Sequence, residues 1–123
     1  MQVRTCADSG AAALAASDAI ARRLRFAVLR RGLAHIAFSG GSTPAAMLAA
    51  LARSSVPWAY VHVYQVDERV APDGDPARNA GLLDVLPLRR ANRHLMPVTA
   101  ANLTAAARRY AASLPERFDV VHL

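Results

Sequence analysis

An α/β fold, with a Rossmann-like parallel sheet flanked by helices, is what this sequence predicts, on three observations. Short runs rich in β-branched and aromatic residues alternate with helical patterns along the chain. Each of the first two such runs ends in a chemically distinctive turn, 39–43 and 67–69. At 123 residues the chain is sized for a single domain with a modest core, so residues 1–123 are read as one unit.

The elements follow in order. Residues 2–6 fit a short edge strand. Residues 10–31 read as a helix, with Ile20, Leu24, Ala27 and Val28 on one stripe, Arg22 and Arg25 opposite, and Gly32 ending it. A strand over 34–38 runs into Ser39-Gly40-Gly41-Ser42-Thr43, and Pro44 opens a second helix to Ser54, apolar nearly all round and expected to be buried. Pro57-Trp58 punctuates, and 60–66 reads as the second strand. A polar loop over 67–79 carries Pro72, Gly74 and Pro76, and a short helix is expected near 79–86. A brief strand around 94–96, a helix over 102–114 and a last strand over 118–123 complete the chain.

Composition narrows the function. Hydrophobic residues make up 54% of the chain, much of it alanine, and no apolar run is long enough to span a bilayer. The N-terminus has no apolar signal-peptide core, and Cys6 is alone, which excludes an intrachain disulfide framework. Both point to a cytoplasmic protein. The net charge of +6 raises nucleic acid, but the 15 basic residues are all arginine, scattered in ones and twos without interleaved aromatics. Neither nucleic acid nor membrane is therefore expected as a partner. The absence of lysine removes Schiff-base chemistry and the P-loop lysine.

The turn at 39–43 has the order a backbone needs to wrap an anion. Gly40 and Gly41 can take positive φ and admit close approach, Ser42 and Thr43 offer hydroxyls, either of which can cap the next helix, and Pro44 suits the first helical position. The helix N-terminus then points back at the loop. A bare Gly-Gly-Ser fits an ordinary strand–turn–helix connection equally well; the strand before and the proline after favour phosphate. Asp67-Glu68-Arg69 stands where the second strand ends, on the same predicted sheet edge. Arg69 suits a phosphate or a developing oxyanion, and Asp67 suits hydroxyls or proton handling.

These segments resemble the 6-phosphogluconolactonase family, within the glucosamine-6-phosphate isomerase/deaminase superfamily. The resemblance rests on 38–44 (Phe-Ser-Gly-Gly-Ser-Thr-Pro), on 66–70 (Val-Asp-Glu-Arg-Val) running on to Arg78-Asn79, and on 118–123 (Phe-Asp-Val-Val-His-Leu); Leu82-Leu83-Asp84 and His94-Leu95-Met96 also fit. It implies hydrolysis of 6-phospho-D-glucono-1,5-lactone to 6-phosphogluconate, in the pentose phosphate pathway, with no metal and no cofactor. Ser39, Gly40, Gly41, Ser42 and Thr43 would hold the 6-phosphate, and Asp67 and Arg69 would border the lactone as catalytic residues. Glu68, Arg78 and Asn79 are candidate substrate contacts. Arg78 departs from the serine many relatives carry before the asparagine, and either contacts phosphate or points to water. The deaminase branch usually has Asp-Glu-Tyr where this chain has Asp67-Glu68-Arg69, which favours the lactonase.

In the family, the strand matching 118–123 leads into Gly-x-Gly-x-Asp-Gly-His-x-Ala-Ser-Leu-Phe-Pro, whose histidine is the expected general base. This sequence stops at Leu123, one residue earlier. The resemblance thus implies a truncated form: a sheet cut after 118–123, a chain without the catalytic histidine and inactive or nearly so, and self-association through the truncated sheet edge. His35, His62, His94 and His122 are expected to be packed or surface histidines, none beside the pocket. The alternatives are a non-catalytic sugar-phosphate binding module and a glucosamine-6-phosphate deaminase-like isomerase.

Overall fold

A computed structural model describes residues 1–123. Helix α1 (Ser9–Arg31) leads to strand β1 (Ala34–Phe38), helix α2 (Pro44–Ala52) and strand β2 (Val61–Gln65). After a long loop come 3-10 turns at Asn79–Val85 and Arg90–Asn92, the two-residue strand β3 (Arg93–His94), helix α3 (Leu103–Ser113) and strand β4 (Val120–His122). All pairings are parallel, in the order β3-β2-β1-β4. The chain therefore leaves β1 toward β2 and β3 and returns to β1's other side as β4. That reversal places a topological switch point at the carboxyl end of β1, where crevices form in open parallel sheets.

Local chemistry explains the boundaries. Asp8 caps α1, its Oδ1 accepting from the Ala11 amide at 2.7 Å. Gly32 ends the helix at φ +81°, its amide donating to the Val28 carbonyl at 2.7 Å, as the glycine predicts. Residues 2–6 form no strand. With Val3 exposed, the segment has too little apolar surface to offset ordering it at a sheet edge. The expected strand at 94–96 stops at His94 because the Met96 amide donates to Gln65 Oε1 at 2.7 Å, a side chain taking the place of the ladder. The short helix near 79–86 is a 3-10 turn, and α2 buries one face (Pro44, Met47, Leu48, Leu51) while Ala45 and Ala46 face water.

The sheet has two unlike faces, as strand alternation requires. Ala34, Ile36 and Phe38 of β1, with Val61 and Val63 of β2, pack under α1 and α2 against Leu24, Leu48 and Leu51, which are buried. This face is the core. The opposite face carries His35, His62, His94 and Tyr64, and α3 covers its carboxyl end through Tyr110. The Tyr110 hydroxyl accepts from the Gln65 amide at 2.9 Å and lies 3.1 Å from the Gln65 carbonyl. Asn92, buried, donates its Nδ2 protons to the carbonyls of Ala59 and Val61, both at 3.0 Å, and so closes the entry to β2. Asp119 fastens β4: its amide donates to the His35 carbonyl, its Oδ2 accepts the His35 amide at 2.9 Å, and its Oδ1 pairs with Arg31. No helix is long and apolar enough to cross a membrane.

The histidine face makes folding sensitive to acid. His62 Nδ1 lies 2.9 Å from His94 Nε2, an arrangement that needs at least one neutral ring to accept. Burial pushes the His94 imidazole below its ordinary value, with His62 and His35 adding to the effect. Burial and His62 do the same to His35, partly opposed by Asp119 and reinforced by Arg31, and burial also lowers His122. A lowered histidine pKa means that the unfolded chain binds more protons. The stabilisation is present above the unfolded imidazole value, about 6.5, and is lost as pH falls through the folded values. Denaturant midpoints should therefore fall as pH is lowered from about 7 to about 5, and His94→Gln should flatten part of that slope. An unchanged midpoint across this range would contradict the assignment.

Candidate functional site

The loops after β1 and β2 meet at the switch point. Ser39 donates its amide to the His122 carbonyl at 3.0 Å and the Val66 amide donates to the Phe38 carbonyl at 2.9 Å, so both neighbouring strands hold the end of β1. Beyond it, the chain turns at Gly41, whose φ of +108° is open to glycine at little cost. Gly40 has no positive φ. It is needed for another reason: a Cβ there would fall inside the carboxamide of Asn79, which lies directly on its Cα. The freedom expected of both glycines thus belongs to Gly41 alone, and Gly40 serves close approach.

The turn keeps its donors unspent. The amides of Gly41, Ser42 and Thr43 donate to no acceptor within the chain, and neither the Ser42 nor the Thr43 hydroxyl caps α2. Pro44 stands at the start of α2 as expected. The result is three consecutive exposed residues with free N–H groups at a helix N-terminus, an arrangement suited to an anion.

Gly41 and Ser42 form one wall of an open cleft of about 720 Å³, and Arg69, Arg78, Asn79 and Arg93 line the rest with Asp73, Asp75 and Asp84. Arg69 is exposed and enters no ion pair. Arg93 is held by Asp84 at 2.5 Å and by the Ala80 carbonyl at 2.7 Å. Asp67 stands against the turn, its Oδ1 3.4 Å from the Gly40 amide, while its carbonyl accepts from Asn79 Nδ2 at 3.3 Å. Ser39 is spent on β4 through its backbone. Thr43 faces a second hollow with His122, between the start of α1 and the start of α2. His122 therefore ends β4 beside the turn, nearer the site than the expectation for the four histidines, whereas His35, His62 and His94 lie away from the cleft.

Two candidate substrate contacts are corrected. The Glu68 side chain has no exposed surface. Its Oε1 accepts from the amides of Arg69 (2.8 Å) and Asn79 (2.6 Å), and its Oε2 accepts from Gln65 Nε2 (2.8 Å) and the Ala80 amide (3.0 Å). Arg78 Nε lies 3.0 Å from the same Oε2. Burial alone would push this carboxyl up, but the hydrogen bonds from Gln65, Arg69, Arg78 and Asn79 outweigh it and hold it at about 2. A carboxylate so occupied has no lone pair left for substrate. Arg78 is likewise buried: its Nη1 donates to Asp73 at 2.9 Å and to the Ala71 carbonyl at 3.1 Å, and Glu68 foremost raises its pKa. It neither points to water nor offers a free guanidinium.

Sequence reasoning passed over Asp73, Asp75 and Arg93. Asp75 was open to it, since Asp-Pro-Ala announces a turn in which Asp75 Oδ1 accepts the Ala77 amide at 2.8 Å. No group of three or more His, Cys, Asp or Glu side chains is arranged to hold a metal ion.

Known proteins resemble this chain in sequence and in fold. The profile of the family described as glucosamine-6-phosphate isomerases/6-phosphogluconolactonase matches residues 7–123. A 6-phosphogluconolactonase of Rhizobium meliloti is 37% identical over 120 residues, covering 92% of this chain and 52% of the relative. One from Synechocystis is 36% identical over 106 residues, covering 82% of this chain and 44% of the relative. The crystal structure of a 6-phosphogluconolactonase from Shewanella baltica superposes with a TM-score of 0.82 at 30% identity, over 93% of this chain and 52% of that one. A monomeric glucosamine-6-phosphate deaminase has the same fold, with a TM-score of 0.78 at 18% identity. The chain spans about half the length of the relatives it matches. With the turn at 39–43 and the Asp67–Arg69 loop at one sheet edge, this chain belongs to the family of glucosamine-6-phosphate isomerases and 6-phosphogluconolactonases.

Proposed function

We propose that this chain forms the substrate-holding part of a 6-phosphogluconolactonase site, in a cytoplasmic protein that hydrolyses 6-phospho-D-glucono-1,5-lactone to 6-phosphogluconate. One observation carries the reading: the unspent amides of Gly41 and Ser42, continued by that of Thr43 at the start of α2, and the unpaired guanidinium of Arg69 meet at one cleft, which Gly41, Ser42 and Arg69 line. The 6-phosphate sits on the turn, where free N–H groups and the α2 N-terminus favour a dianion. Arg69 faces the other end of the ligand, where attack of water on the lactone carbonyl places charge on its oxygen. Asp67, with one oxygen turned to the Gly40 amide, borders the sugar hydroxyls. No metal or organic cofactor enters this reading.

None of the four histidines lines the cleft. Histidine general bases contribute roughly 10²–10⁴-fold, so the chain by itself binds substrate and product better than it turns them over. The deaminase alternative is disfavoured by Arg69 itself; release of ammonia from glucosamine 6-phosphate would restore it.

Titration calorimetry with 6-phosphogluconate tests the reading. We expect saturable binding to one site, weakened about tenfold or more by Arg69→Ala, the scale of one charge-assisted hydrogen bond. Absence of binding, or binding indifferent to Arg69, overturns it, and lactone turnover well above the buffer rate would place a base within this chain. Gly40→Ala should be more damaging than its size suggests. The new methyl must evict the Asn79 carboxamide from the turn, costing about 0.5–1.5 kcal/mol for the hydrogen bond lost to the Asp67 carbonyl and reducing ligand affinity with it. A Gly40→Ala chain with native affinity and melting temperature would contradict the close-approach role.

Self-association belongs to the same reading. The outer edge of β4 is unpaired and its Val121 is exposed, which invites pairing with another strand. Sedimentation velocity should show a mass that grows with concentration, and a monomer at every concentration would refute this.

A further inference from the structure

Glu68 is a heavily committed polar group that does not itself line the cleft, although most of its partners do. Its two oxygens gather donors from four places: the end of β2 (Gln65), the next residue (Arg69), the far end of the 67–79 loop (Arg78, Asn79) and the first turn of the 3-10 segment (Ala80). Two of these are backbone amides at the start of a 3-10 helix, where donors otherwise go unpaired. A third is the amide of the one unpaired arginine on the cleft wall. Asn79, held by its amide, lays its carboxamide on Gly40 and bonds the Asp67 carbonyl.

We propose that Glu68 is a positioning residue. It touches no ligand, and it sets the separation between the anion-holding turn at Gly41–Thr43 and the Arg69 guanidinium, so that both ends of one sugar phosphate are met at once. The consequence rests on the sugar-phosphate reading above, while the positioning itself does not. In a Glu68→Gln chain the carboxylate is neutralised in place. The carboxamide that replaces it retains one acceptor oxygen and turns an NH₂ toward groups that are themselves donors, so at least two of the five contacts are lost. The loop then loosens where it carries Arg69 and Asn79, and ligand affinity falls although every contacting side chain is still present.

A double-mutant cycle tests this. Glu68→Gln should weaken 6-phosphogluconate binding by about tenfold in a chain whose circular dichroism is unchanged. On an Arg69→Ala background the same substitution should add less than about twofold, because residues acting through one another are not additive. Full additivity, or native affinity in Glu68→Gln, overturns the proposal; a purely structural role would lower the melting temperature without this non-additivity. If Glu68→Gln does not fold, Glu68→Asp, which keeps the charge on an arm one methylene shorter, is read in the same cycle with the same expectations. If the wild-type chain binds no 6-phosphogluconate, the lactonase reading fails and Glu68 is judged by amide exchange alone. Slow exchange at Asn79 and Ala80 that is lost in the variant supports positioning, and equal exchange in both chains refutes it.

Discussion

The carboxamide of Asn79 lies on the bare Cα of Gly40, and the rest of the site is arranged around that contact. It is where two loops, leaving neighbouring parallel strands in the same direction, are pressed together. The Gly40 amide reaches Asp67, and the Asn79 side chain reaches the Asp67 carbonyl, so each loop supplies polar groups that the other would otherwise leave unsatisfied. Because Gly40 is spent on this approach, the turn must find its reversal one residue later, at Gly41. The free amides of Gly41 and Ser42 are therefore presented beyond the interlock, on the cleft side.

The two faces of the sheet divide the labour. The face under α1 and α2 is apolar and continuous, from Leu24 through Ile36 and Val63 to Leu83, and it carries the burial that stabilises the domain. The other face places His35, His62 and His94 side by side across three strands, with Tyr64 stacked on His94 at 4.2 Å between ring centroids. Burial in that row lowers the pKa of the His35 and His94 imidazoles and so favours their neutral forms. The buried carboxylate of the site has a different dependence, since against its burial the hydrogen bonds it accepts hold Glu68 at about 2.

Much of the architecture was legible because it is local. Gly32 as a helix stop, Pro44 as a helix start and the β-branched runs at β1 and β2 each act through their own backbone, and the alternation of elements implies a parallel sheet with its site at the strand ends. What could not be read depends on contacts distant in sequence. Asp67-Glu68-Arg69 looks like three equivalent charges at a strand end, yet Arg69 faces the cleft, Asp67 the turn, and Glu68 the interior. Nothing in the triplet distinguishes them; the donors at Asn79 and Ala80, eleven and twelve residues on, decide which carboxylate is buried. Gly40 is a glycine for Asn79, not for its φ, and β3 is short because Gln65 intercepts Met96. Arg78 belongs to the same class: only the fold shows that its partners were already in place.

That partnering determines what the cleft can attract. Three arginines line it, but Glu68 and Asp73 neutralise Arg78, and Asp84 neutralises Arg93. Had all three been free, the cleft would draw any polyanion, with little regard to shape. With two of them tied into the wall, the attraction falls to Arg69 and the amides of the turn, two anion-seeking elements separated by a loop gathered on Glu68. On the reading proposed above, a ligand gains from both only if its phosphate and its other electron-rich end match that spacing, which makes distance rather than amount of charge the basis of discrimination.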